Sequence, residues 1–138
     1  MTLLDRDGFR DAVFQRDGHA CVKCSAPADA AHHIIERRLF PDGGYDVDNG
    51  ASLCEACHWL AEQTVLSPDE LRRLAGIRQV VLPPGFDPDR RYDKWGNPYL
   101  PDGRRARGPL FDEEGTQRAL RAGGQLGEFA WEVPPEGP

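Results

Sequence analysis

An α+β fold stapled by a metal is predicted from three observations on these 138 residues. Apolar residues recur at helical spacing near the N-terminus, a short run at 28–36 alternates as a strand does, and two Cys-x-x-Cys pairs bracket that run. The pairs are Cys21/Cys24 and Cys54/Cys57. Their two-residue spacers let each pair grip one side of a tetrahedral Zn²⁺, so the four thiolates make a closed structural zinc site. A chain of this length with 39% apolar residues and 12 prolines suits one small domain with an irregular extension. The domain is placed at 1–82 and the extension, packed against it, at 83–138.

The elements follow in order. Between Asp5 and Arg16, Phe9, Val13 and Phe14 fall on one helical face, and Asp17-Gly18 makes a stop. His19 is read as a turn or surface residue, because two full cysteine pairs leave no vacancy for it. The run A-D-A-A-H-H-I-I-E at 28–36 is expected to be a strand with His33 and Ile35 on one face and His32 and Ile34 on the other. The turn formers from Pro41 to Gly50 lead to a short second strand, Ala51 to Leu53. A helix starting near Ser52 then carries Cys57, His58, Leu60 and Ala61. Glu62, four residues after His58, shares its helical face and could add a carboxylate ligand directly or through water, with a solvated side chain the preferred reading.

Ser67-Pro68-Asp69-Glu70 is a helix start, with a serine cap, proline at the first helical position and a glutamate placed for a capping box. That helix should end near Gly76, and Ile77 to Leu82 is expected to be a strand that Pro83-Pro84 breaks. Beyond it the chain is irregular but keeps Phe86, Tyr92, Trp95, Tyr99 and Phe111, more aromatics than a disordered linker holds. A short helix is expected within Asp112 to Gly123, and E-V-P-P-E-G-P reads as a frayed end.

A net charge of −6 argues against a protein that coats nucleic acid through a general excess of Lys and Arg. Locally the balance differs. Residues 90–107 hold Arg90, Arg91, Lys94, Arg104, Arg105 and Arg107 against Asp93 and Asp102, and this patch is the expected substrate contact. No apolar run approaches the length of about 18 residues that a membrane helix needs, so no membrane partner is expected. With no secretion signal visible, the cysteines are expected to stay reduced in the cytoplasm, where metal ligation explains them better than disulfides.

Taken together, R-D-G-H-A-C-V-K-C, H-H-I-I-E, D-G-G-Y-D-V-D-N-G and L-C-E-A-C-H resemble the HNH, or His-Me finger, endonucleases in order and spacing over residues 9–66. The resemblance implies a ββα-metal fold: a β-hairpin and a helix around one catalytic divalent metal, with a separate zinc knuckle. It implies that His33 is the general base, Asn49 the central asparagine that fixes the loop, and His58 a metal ligand. His32 takes the slot of the second protein ligand, most often aspartate in the family. Two histidines favour transition metals over an exclusive demand for Mg²⁺, leaving Mg²⁺, Mn²⁺, Ni²⁺ or Zn²⁺ as the catalytic ion. Phosphate contacts are expected at Arg37, Arg38, Arg104 and Arg105, although Arg37 and Arg38 suit a solvated loop equally well. The expected activity is hydrolysis of phosphodiester bonds in nucleic acid, DNA first. An RNA-directed nuclease and a zinc-knuckle binding module without turnover stay open as alternatives.

Overall fold

The computed structural model describes residues 3–136 and has the expected α+β architecture. Helix α1, Arg6–Arg16, is capped by Asp5, whose carboxylate accepts from Gly8 N. Strands β1, Ala30–His33, and β2, Gly50–Leu53, form an antiparallel hairpin that pairs His32 with Ala51 and His33 with Gly50. Helices α2, Glu55–Glu62, and α3, Pro68–Ala75, follow directly, and α4, Glu114–Ala122, lies late in the chain.

Helix α1 lies across the hairpin and presses close. A side chain at Gly50 would put its Cβ 2.5 Å from Val13 Cγ2 and 2.7 Å from Phe9 Cζ, so only glycine lets the two elements meet. At the helix end, Arg16 pairs with Asp17, and its guanidinium also donates to the Val47 and Gly50 carbonyls. The Asp17 carboxylate in turn accepts from Ser52 N at 2.9 Å. Two neighbouring residues thereby bolt the end of α1 to β2.

The hairpin is buried on both faces. Ile34, just past β1, joins Ala51, Leu53, Ala61, Leu66 and Leu71 in one apolar cluster, which includes Cys21 and Cys57. Ile35 points the other way, into Phe40 and Val81. This is the alternation expected of 28–36, although the ladder itself spans only Ala30–His33.

At α3, Ser67 Oγ accepts from Glu70 N at 3.2 Å, and Gly76 ends the helix with φ +70°, in the left-handed region. The Glu70 carboxylate pairs with Lys23 and Arg73, so the reciprocal half of the expected capping box is not made.

The strand expected at Ile77 to Leu82 does not form. Among the described residues, the only sheet is the β1–β2 hairpin, so this segment has no ladder to join; Val81 is buried while Val80 is 53% exposed. The end of the chain also differs from expectation. Glu136 donates its backbone N–H to the Arg107 carbonyl and pairs with Arg90 through its side chain, so the chain is anchored there rather than frayed. Gly137 and Pro138 lie outside the described residues.

Residues 83–136 carry their own apolar cluster of Trp95, Leu110, Phe111, Ala119, Leu120 and Phe129. Their organising turn is Asp93–Asn97. The Asp93 carboxylate, fully buried, accepts from Trp95 N, Asn97 N, Asn97 Nδ2 and the Arg105 guanidinium at 2.8–3.0 Å. Arg105 also donates to Thr64 Oγ1 and Gln125, and the Trp95 indole donates to the Glu62 carbonyl at 2.8 Å. Among the described residues, no helix is long and apolar enough to cross a membrane.

Candidate metal centres and catalytic cleft

The two cysteine pairs converge. The sulfurs of Cys21, Cys24, Cys54 and Cys57 all lie within 4.8 Å of one another, and Cys24 Sγ is 3.6 Å from Cys54 Sγ. That separation is far beyond the ~2.05 Å of a disulfide. It matches the ~3.8 Å edge of a tetrahedron built on Zn–S bonds of ~2.3 Å. All four cysteines are free thiols. Burial works to raise the Cys21 thiol, yet backbone hydrogen bonds around Cys54, Cys24 and Lys23 outweigh it and bring it to about 7. The same burial, with three sulfur neighbours, pushes Cys57 up. Four close sulfurs that cannot all ionise alone are what a dication resolves. Cys54 also caps α2, its sulfur accepting from Cys57 N at 3.5 Å, so the zinc site and the helix start are one structure.

A second cluster lies further along α2. His32, His58 and Glu62 bring one ligand atom each within 4.8 Å of the others, with His58 Nε2 3.3 Å from Glu62 Oε1. Both nitrogens of His32 and the Glu62 Oε2 atom are buried with no hydrogen-bond partner. Orphaned polar atoms are costly unless something fills the space between them. Burial, followed by the charges of Lys94, His58 and His33, holds His32 well below the ordinary histidine range, so it presents neutral nitrogens. Burial works to raise the Glu62 carboxyl, but His58 and Lys94 outweigh it and keep it ionised. This donor set fits a divalent cation. Glu62 is therefore half-buried, with one carboxylate oxygen shut off from water, rather than freely solvated. Its face-sharing with His58 was legible from the spacing; its burial follows from the later segment that covers it.

His33 stands apart from that cluster. Its ring stacks on Phe9, with centroids 4.6 Å apart and planes 20° apart, and meets Tyr45 edge-on. A hydrogen bond with the Gly43 backbone helps hold the ring, and Nε2 is buried and free. Burial first, then the Lys94 charge, lowers it to about 4, so it is a neutral proton acceptor at ordinary pH. Asn49, 1% exposed, staples the preceding loop: its Oδ1 accepts from Ile35 N at 3.0 Å, and its Nδ2 donates to the Ile35 and Gly44 carbonyls. It shapes the site from behind and lines none of it.

The cleft itself has a volume of about 400 Å³ and is lined by His32, His33, His58, Glu62 and Lys94, with Arg6, Arg10 and Arg37 among the residues around them. Of the four arginines expected to contact substrate, only Arg37 lines it. Arg38 pairs with Glu36 and Glu113. Arg104 pairs with Asp102 and Glu132. Arg105 is buried against Asp93, so its guanidinium cannot reach a phosphate.

The basic patch at 90–107 is a charge count that the fold cancels. Arg90 is matched by Glu136 and Arg91 by Asp69, both distant in sequence, while Arg107 donates to the Trp131 and Val133 carbonyls. The exposed cations at the cleft come instead from α1: Arg6 and Arg10, one turn apart, have no carboxylate partner among the described residues, and neither does Arg37. No local charge run marks them; the signal was the helical spacing of two arginines beside Phe9.

The family model described as HNH endonuclease matches residues 21–62, the span from the first zinc-type cysteine to Glu62. Over these residues the chain resembles an HNH domain. Neither the curated proteins nor the solved structures hold a match to the chain. The HNH domain ties the protein to nuclease or related nucleic-acid functions, and its hairpin, helix and four-cysteine cluster agree with a ββα-metal fold.

Proposed function

We propose that this protein is a metal-dependent endonuclease that hydrolyses phosphodiester bonds in DNA. The observation that carries the reading is His33: a neutral, half-buried imidazole whose Nε2 is buried and free, clamped between Phe9 and Tyr45 and lining the same cleft as His32, His58 and Glu62. Hydrolysis needs a base for water and positive charge for the phosphoryl oxygens. His33 Nε2 takes the proton as the water oxygen bonds to phosphorus and the P–O bond to the leaving nucleotide breaks. A divalent cation held by His32, His58 and Glu62 supplies, when bound, the charge that stabilises the phosphoryl group. Arg6, Arg10 and Arg37 hold the strand at the cleft by its phosphates. Asn49 keeps the loop that presents Gly43 and Tyr45 to His33.

The test is incubation of the purified protein with plasmid DNA, single-stranded DNA and structured RNA in Mg²⁺, Mn²⁺, Ni²⁺ or Zn²⁺. Metal-dependent cleavage of DNA that disappears in His33→Ala is the expected result. Cleavage of RNA alone reassigns the substrate. Binding of nucleic acid without cleavage under any of the four metals overturns the enzymatic reading in favour of a binding module.

A further inference from the structure

The HNH match ends at Glu62, yet the cation nearest the His32/His58/Glu62 cluster comes from far beyond it. The Lys94 side chain is 4% exposed. Its Nζ donates to the His33 carbonyl at 3.1 Å and to Glu36 Oε1 at 3.4 Å, and stands 3.8 Å from Glu62 Oε2. The seat is built on every side. Glu36 N donates to the Lys94 carbonyl at 2.9 Å, the Trp95 ring lies 5.2 Å from the ammonium, and the Trp95 indole grips the Glu62 carbonyl. Behind it, buried Asp93 fixes the turn through four hydrogen bonds.

A buried lysine is costly unless it is paired, and this one is placed between the end of β1 and the end of α2, the two elements that carry the cleft. We propose that Lys94 is a positioning residue of the cleft: a fixed cation that holds the Glu36 and Glu62 carboxylates and sets how tightly a divalent cation binds at His32, His58 and Glu62. The inference rests on reading that cluster as a metal site. The two carboxylates and the ammonium leave this trio a single net negative charge. A dication alone therefore overfills it by one positive charge. A phosphodiester, with one negative charge, restores the balance, so metal and nucleic acid bind with mutual help.

The experiment is a calorimetric titration of Mn²⁺ into the zinc-loaded full chain and its variants. Lys94→Met should bind Mn²⁺ tighter, by roughly tenfold, the size of a modest coupling between charges. Lys94→Gln, which keeps an N–H for the His33 carbonyl, should do the same, and Lys94→Arg should match the parent. Loss of a merely structural prop would weaken binding instead. If the neutral variants do not fold, Glu36→Gln decides: it removes a carboxylate outside the ligand cluster and should weaken Mn²⁺ binding, because Lys94 is then less compensated. Unchanged or weaker affinity in folded Lys94→Gln, or unchanged affinity in Glu36→Gln, overturns the role of Lys94. A parent that binds no Mn²⁺, or a His58→Ala variant that binds as the parent does, overturns the metal-site reading itself.

Discussion

Helix α2 serves two clusters that could each hold a metal ion, and they differ in how they are closed. Cys54 and Cys57, at its start, meet Cys21 and Cys24, from the loop between α1 and β1, in an all-sulfur cluster that needs nothing from the later segment. His58 and Glu62, one residue and one turn further on, meet His32 in a mixed cluster at the floor of an open cleft. The first set saturates a tetrahedral ion; the second offers three donors and leaves room for substrate and water. The first is complete by residue 57, whereas the second is covered by Lys94 and Trp95 from the later segment. On the proposed reading, one helix thus separates a part that holds the chain together from a part that acts on substrate.

The largest expected effect breaks the first cluster. Cys54→Ser removes a zinc ligand and the α2 cap together, and because binding energy is folding energy in so small a domain, the variant should be unfolded or aggregated. Circular dichroism and elemental analysis check this: a folded variant beside a zinc-free parent would dissolve the distinction between the two clusters.

The second cluster should fail differently. His33→Ala should cut turnover by about 10²- to 10⁴-fold, the usual worth of a positioned base, with affinity for the catalytic metal barely changed. His32→Ala should lose metal affinity along with turnover, and added metal should restore part of the loss. Parallel calorimetry and cleavage assays separate the two; retention of metal by His32→Ala with its loss from His33→Ala would exchange their roles.

A third comparison concerns the later segment. Asp93→Ala leaves Arg105 as an unpaired buried charge and strips the Lys94 turn of its anchor, which should cost about 3–5 kcal/mol of stability by thermal or urea unfolding. Zinc content at room temperature should stay at the parent value, because the cysteine cluster does not draw on this turn. Zinc loss in folded Asp93→Ala would show the two clusters to be coupled.

The smallest effect distinguishes two sets of arginines. Arg6→Ala/Arg10→Ala should weaken DNA binding and flatten its salt dependence by a slope of about 0.9 per lost phosphate contact, whereas Arg104→Ala should leave the slope as it was. The reverse pattern, read from binding isotherms at several salt concentrations, would move the substrate from the cleft to the outer face.

Legibility followed range in sequence. The zinc site, α1 and the Ser67 cap could be read because each rests on spacings within a few residues or within one repeated motif; the hairpin, whose strands pair across a long loop, followed from the family resemblance. Glu62 was half legible: its place on the His58 face comes from helix geometry, but its burial comes from Lys94 and Trp95. The failure at Arg104 has the same cause, while Arg105 is lost to burial against Asp93, an acid within the patch itself. A run of like charges says nothing of acids that fold in from elsewhere, and Asp69, Glu132 and Glu136 supply them from other parts of the chain. The missing strand at 77–82 fails for want of a partner, which no local pattern reports.

The seating of Lys94 also bears on the order in which the protein comes into being. During synthesis the cysteines, histidines and Glu62 leave the ribosome first, and with zinc they can assemble a hairpin and helix before residue 94 exists. At that stage Glu62 lacks its lysine, and the turn that carries Lys94 must still wait for Arg105. Arg105 in turn donates its backbone N–H to the Glu128 carbonyl. A nascent or cut chain would therefore hold a zinc-bound but unfinished cleft, and competence would arrive only when the last quarter of the sequence closes over it. On the proposed reading, that delay would tie nuclease activity to the closing of the segment that carries Lys94 and Arg105.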